Sequence, residues 1–442
     1  MESARALEAA AVRAGSAGLK SDEVHALNAL ARTTVLIDGD LGLAACQKAL
    51  AACEGLDDPL LLARTQLLAA TLRLGYDRWR NEDAATCATA RLTIGNLTDP
   101  VTPSYHEAWD AHRQSLQGES EAAIKTTYSV ICRFFETRDN ERQTLQGRQG
   151  DAFRITEGSL AAMSASSGLV AYVLALSAKA IAHMHLGQLG QALEIVRTAR
   201  SRAEKNGSNA WIFMLREAWI RTLAFDFQGA RRLCEEIIEA NAQYLSGQPI
   251  AMAHIAEGYA ALYEKNYERS MQSFGEIIDR GPTPKFFLHW YWRMQAELGM
   301  SEAALGKVDI PEARRQANQF LQSALSTADP NLYALAWNML AKVAMTEGNF
   351  LQSEEHLRTA LGILENFGVP LSAWRIHRTA WQFSENVGNR EAAPHHRAQA
   401  QTGVLAIADS FLPDEPLRAV FLHAAPVQQV LSPAKPQPLD SV

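Results

Sequence analysis

Residues 258–282 read GYAALYEKNYERSMQSFGEIIDRGP. A small residue, Gly258, stands nine positions before Tyr267, and another, Ser270, stands three after it. Phe274 and Ile277 follow at helical spacing, and Gly281-Pro282 closes the segment. This pattern predicts two antiparallel helices joined by a tight turn at Asn266. Small side chains at 258 and 270 let the two helices touch, because nothing bulkier fits at their closest approach. Phe274 and Ile277 fall on one face of the second helix, available to the next unit.

The pattern recurs outward from this stretch. The turn-and-apolar marker appears at Leu189, Phe227, Tyr267, Ile310 and Phe350, with Arg390 in the same place in the last copy; the spacings are 38, 40, 43, 40 and 40. A fixed period of about 40 residues is the mark of a solenoid. The small residue nine before the marker is Ala180, Ala218, Gly258, Ser301 or Ala341, with Trp381 in the last copy. Earlier copies are expected at Gly39-Asp40-Leu41 with Ala44 and at Gly118-Glu119-Ser120 with Ala123; between them and Leu189 the phase is lost, and residues 138–150 read as a polar turn region. Asp329-Pro330 reads as an N-cap followed by Pro at the first helical position. No run alternates apolar and polar residues, so no sheet is expected.

Composition agrees. Of 442 residues 73 are alanine, which favours helix and close helix approach. The net charge of -7 argues against a dedicated nucleic-acid binder. Five cysteines, scattered and odd in number, fit reduced thiols and a cytoplasmic location. No signal peptide is read at the start, and the uncharged stretch 158–178 reads as a small-residue loop and a buried helix, not a membrane span.

The small–aromatic–small arrangement resembles the tetratricopeptide repeat, with a period longer than that family's. It implies an all-α, TPR-like solenoid of antiparallel helix pairs, wound as a right-handed superhelix. Four segments also resemble the C-terminal helical arrays of bacterial signal-transduction ATPases, such as maltose-activator-like regulators and ATPase–nucleotide-cyclase fusions: 77–84 around Trp79, Trp290-Tyr291-Trp292-Arg293-Met294, Val369 to His377, and Asp409 to Leu431. The expected organisation is 1–150 as N-terminal helical repeats, 151–423 as C-terminal repeats continuous with them, and 424–442 as a Pro-rich flexible tail.

Chemistry-bearing motifs are few. Gly306-Lys307 is followed by Val308, so no phosphate-binding loop forms. His106 and His112 are six apart and point away from each other on a helix, unlike a zinc-protease pair; Ser104 and Glu107 read as a capping box instead. His183, His185, His395 and His396 read as surface or groove histidines, and Asn96-Leu97-Thr98 as a glycosylation match without a secretory context. The run Phe286, Phe287, His289, Trp290, Tyr291, Trp292 reads as packing rather than a ligand cage. No enzyme, cofactor or metal site is expected.

The resemblance implies a working surface on the inner face of the first helices. Its candidate groove residues are Trp219, Tyr259, Asn338, Lys342, Arg375 and Arg378, apolar in mid-chain and basic toward the C-terminal end. Lys342, Arg375 and Arg378 together suggest an anionic guest, unless Glu385 and other acids neutralise them. The expected role is a non-catalytic scaffold or sensor in bacterial signalling or transcription control. It would hold a protein or peptide partner, with a signalling ATPase, kinase or cyclase as the working associate, and no nucleic acid or membrane. Two alternatives stay open: a small-molecule effector in the groove, and a superhelix so tight that the groove is only its packed interior.

Overall fold

The computed structural model describes residues 2–34, 38–76, 85–87, 89–90, 93, 101–127, 168–205, 210–240, 247–279, 288–327, 329–367 and 369–432. Among these there are helices and turns but no strand. The N-terminal part contains α1 (Glu2–Ser16), α2 (Lys20–Thr34), α3 (Gly39–Cys53), α4 (Pro59–Tyr76) and α5 (Val101–Leu116). Six helix pairs follow: α6 (Gly168–His185) with α7 (Leu189–Lys205), α8 (Trp211–Leu223) with α9 (Phe227–Ala240), and α10 (Gly247–Tyr263) with α11 (Tyr267–Ile278). The others are α12 (His289–Gly306) with α13 (Ile310–Leu325), α14 (Pro330–Thr346) with α15 (Phe350–Asn366), and α16 (Pro370–Asn386) with α17 (Ala392–Asp409). Two short helices, α18 (Pro416–His423) and α19 (Ala425–Leu431), end the described chain.

The turn between paired helices has a repeated chemistry. An Asp or Asn side chain accepts a backbone N–H three residues on: Asp226 from Gly229 at 3.0 Å, Asn266 from Arg269 at 3.3 Å, Asp309 from Glu312 at 3.3 Å and Asn349 from Gln352 at 3.2 Å. Each satisfies an orphan donor at the start of the second helix. The residue just before each cap is left-handed: Phe225 at φ 66°, Lys265 at 60°, Val308 at 62° and Gly348 at 74°. This conformation reverses the chain in the fewest residues and is one that side chains other than glycine resist.

The small positions do what the spacing predicts. Ala180, Ala192, Ala218, Ala230, Ser270, Ser301, Ala313, Ala341 and Ser353 are all at 0% exposure. Ser270 donates to the Gly258 carbonyl at 2.9 Å and Ser353 to the Ala341 carbonyl at 3.0 Å, so the contact is also hydrogen-bonded. Phe274, fully buried, is wedged between successive first helices: a Cβ on Gly258 would meet its ring at 2.6 Å, and one on Gly299 at 2.2 Å.

The superhelix closes on itself. Gly190 N–H donates to Ser410 Oγ at 2.9 Å, and Arg197 pairs with Glu415 at 2.7 Å. Phe225 stacks on Phe421 with centroids 6.0 Å apart. His185 Nδ1 bonds the Ser115 carbonyl at 2.7 Å, which joins α6 to α5, and Leu288 N–H donates to the Gly75 carbonyl at 2.6 Å.

Three expectations are corrected. The early copy at Leu41 and Ala44 is out of register by two: Asp38 is the cap, accepting from Leu41 N–H at 3.0 Å, and Gly42 takes the buried small position while Ala44 is exposed. Ser104 is not a cap, because α5 already runs from Val101. Residues 425–431 are not part of a flexible tail, since they form α19, which buries Val427 and Val430 completely. Trp79, the 138–150 stretch, Cys132, Asn96, Phe286, Phe287 and residues 433–442 lie outside the described residues.

Candidate functional site

The first helices of the pairs turn one face inward and bound a pocket of about 840 Å³, counting its open mouth. Its wall is aromatic on one side. Trp219 meets Trp292 edge-on at 5.3 Å and Tyr291 at 6.4 Å, while Phe227 stacks on Tyr263 at 5.6 Å and on Tyr259 at 6.5 Å. Tyr259 donates its hydroxyl hydrogen to the Gln295 carbonyl at 3.3 Å, and burial pushes its ionisation well above the ordinary phenol value. These rings give a ligand a large dry surface.

Another part of the lining comes from α14, where Asn331, Asn338 and Lys342 stand among Leu332, Leu335 and Met339. Asp329 caps that helix, accepting Asn331 N–H at 2.8 Å, and burial raises its carboxyl above the usual range. Asn331 Oδ1 accepts the Ser372 hydroxyl at 3.0 Å, and the Asn331 side chain also bonds the Asp329 carboxyl, partly offsetting the effect of its burial. Asn338 is 2% exposed, and its Oδ1 is sealed from solvent without a partner. Both residues line the pocket. A buried polar atom with no partner is costly, so Asn338 holds an unmet hydrogen-bonding need at the pocket wall.

Of the groove residues expected from the sequence, Trp219, Tyr259, Asn338, Lys342 and Arg375 are brought together around this pocket. Arg378 does not line it; its guanidinium donates to Gln429 Oε1 at 2.5 Å, and burial lowers its pKa. The three cations are also not equivalent. Lys342 pairs with Glu302 at 3.1 Å, both side chains being mostly buried, whereas Glu385, the acid named for that role, is exposed. Arg375 lies over the Trp374 ring at 4.6 Å and donates to the Leu371 carbonyl at 3.2 Å.

The sequence reading missed Asp329 and Asn331 as groove residues because their place as cap and first-turn residues explained them already. It also did not foresee the burial of Arg216, a cation inside the apolar run Trp211 to Ile220 that does not line the pocket; a charge that breaks such a run is the available signal. No group of three or more His, Cys, Asp or Glu side chains among the described residues is arranged to hold a metal ion, and no described helix is long and apolar enough to cross a membrane.

No protein-family model and no curated protein sequence matches the chain. Solved structures do. A Rap protein complexed with Competence and Sporulation Factor superposes with a TM-score of 0.60 at 12% identity, covering 88% of this chain and 99% of that one. Yeast Tom70 matches with a TM-score of 0.36 at 11% identity, covering 96% of this chain and 95% of that one. At these identities the likeness is one of fold. The chain is an all-α, TPR-like solenoid of antiparallel helix pairs.

Proposed function

We propose that this solenoid is a non-catalytic interaction module that holds an extended peptide segment of a partner in its inner pocket. The observation that carries the reading is the pair Asn331 and Asn338, which lie on one face of α14 and both line the pocket beside its aromatic wall. Seven residues of helix separate them by about 10 Å. An extended chain covers that distance in about three residues. Two such amides can therefore bond the main chain of a peptide without regard to its side chains, while the aromatic wall selects its apolar groups. The fold likeness to Rap bound to Competence and Sporulation Factor supports a place in bacterial signalling or transcription control. The resemblance to signal-transduction ATPases suggests an ATPase, kinase or cyclase as the associate.

Selection from a displayed random peptide library tests the reading. Captured peptides should compete with one another, and Asn338→Leu should lose them while melting as the parent does. An empty selection, or undiminished capture by Asn338→Leu, would sink it. A second reading, a small-molecule effector, is favoured by the pocket's lining, mostly apolar and aromatic with a few convergent polar groups, which is the usual make-up of a ligand site. Melting against metabolite pools separates the two, since a ligand of the native state raises its apparent stability.

A further inference from the structure

Of the three cations expected on the inner face, two are spent within the fold. Lys342 is paired with Glu302 at 3.1 Å, and Arg378 donates to Gln429 outside the pocket lining. Arg375 differs. It lines the pocket and is partly exposed. Among the described residues its partners are the Leu371 carbonyl at 3.2 Å and the Trp374 ring at 4.6 Å, and both are neutral. A guanidinium presents a rigid fork of N–H donors. One donor meets Leu371, and no described carboxylate forms an ion pair with the others. Asp329, the second acid in the lining besides Glu302, is occupied by the N–H groups of Asn331 at 2.8 Å and Leu332 at 3.4 Å. The guanidinium is thus left without a counter-ion.

Its place along the groove follows from helix register. α14 and α16 are the first helices of successive antiparallel pairs, so they run in the same direction. The Ser372 hydroxyl bonds Asn331 Oδ1 at 3.0 Å, which sets the first turn of α16 level with the first turn of α14. The Arg375 side chain folds back toward that turn, since its Nη1 reaches the Leu371 carbonyl. The guanidinium therefore stands at the Asn331 end of the pocket, roughly two helical turns from the level of Asn338. From this arrangement we infer that Arg375 is the seat for a carboxylate of the bound peptide, at the Asn331 end of the groove. The two oxygens of a carboxylate match the donor fork, and its single charge balances one guanidinium. The aromatic wall keeps water away and so strengthens the attraction. The carboxylate comes from an Asp or Glu side chain or from the peptide's C-terminus. The inference rests on reading the pocket as a peptide groove, and it deepens that reading by fixing the ligand's charge and the end at which it sits.

The test uses two random peptide libraries, one tethered through its C-terminus and one through its N-terminus with the C-terminal carboxylate free. A side-chain source gives captured peptides from both libraries with Asp or Glu at one position. A terminal source gives capture from the second library alone. For a captured peptide, Arg375→Gln should weaken binding about 10- to 100-fold, as loss of a charged hydrogen bond does. Converting the peptide's carboxylate to its amide should cost the same, and the two changes together should cost no more than either alone. Arg375→Lys, which keeps the charge and loses the fork, should retain part of the affinity, and it takes the place of Arg375→Gln in this cycle if that variant does not fold. Captured peptides without a carboxylate, affinity indifferent to Arg375, or losses that multiply in the combination would each overturn the seat and leave the peptide reading standing. An empty selection would sink the peptide reading. The seat is then decided by melting with N-acetylglutamate α-amide at constant ionic strength: a rise in the parent that is absent from Arg375→Gln keeps it, and no such rise overturns it.

Discussion

The ring of Phe274 occupies the place a methyl group on Gly299 would need, 2.2 Å from the position of that absent Cβ. The ring belongs to α11 and the glycine to α12, so their contact sets how closely one unit stacks on the next. Gly299→Ala should therefore cost about 1–3 kcal/mol, as overpacking does. Chemical denaturation checks this; a variant as stable as the parent would mean that the ring moves freely.

Val308 offers the opposite case. It holds φ at 62° with 60% of the residue's surface exposed, so a β-branched residue is strained with little packing in return. The left-handed conformation costs a non-glycine residue about 1–2 kcal/mol. Glycine's extra freedom in the unfolded chain costs roughly 0.5–1 kcal/mol. The strain is the larger, so Val308→Gly should gain about 0.5–1 kcal/mol, read as a higher denaturation midpoint.

The Lys342–Glu302 pair joins α14 to α12 inside the groove. Lys342→Glu should set two carboxylates face to face and destabilise by about 1–3 kcal/mol. Adding Glu302→Lys should restore most of it. A double-mutant cycle measures the coupling; a double variant no better than the worse single one would show that the two charges do not meet.

His377 and His396 face each other with their Nδ1 atoms 3.2 Å apart. Burial first, then His396 and His395, lower the pKa of His377 to about 4. In the unfolded chain that histidine titrates near its ordinary 6.5. Its neutral form thus contributes stability in full above pH 6.5. Between 6.5 and about 4 the unfolded chain takes up a proton that the folded one refuses, and stability falls. His377→Gln should flatten this part of the stability–pH curve; an unchanged slope would place the acid sensitivity elsewhere.

The repeat was legible because its signals are local. Asn266, Asp309 and Asn349 mark turns, and Ser270, Ala313 and Ser353 mark contacts at a fixed offset from them. Where a mimic intervened the reading slipped: Gly39-Asp40 looks like the turn dipeptide, yet Asp38 is the cap. Phe225, Lys265 and Val308 hid their left-handed backbone because nothing in those side chains announces it. Gly299 escaped notice because its partner is in the previous unit. Most inner-face positions could be placed, since they follow from helical register, but their partners could not. That Lys342 meets Glu302 while Arg378 meets Gln429 depends on how the units wind. Arg216 was invisible for the same reason, since a charged residue is by default expected in water.

The closure of the ring bears on how the chain reaches its fold. An open solenoid frays from its ends, and its stability is close to a sum over units and their interfaces. Here α7 is held by α17 and the segment after it through Gly190, Arg197, Ser410 and Glu415, so the sixth pair meets the first. Fraying from that end must first break this seam, which couples units that are distant in sequence and makes unfolding more nearly all-or-none. The same seam can form only after everything between its halves is in place. Contacts of such long sequence separation slow folding, so the last event in assembly should be the docking of one end of the array onto the other.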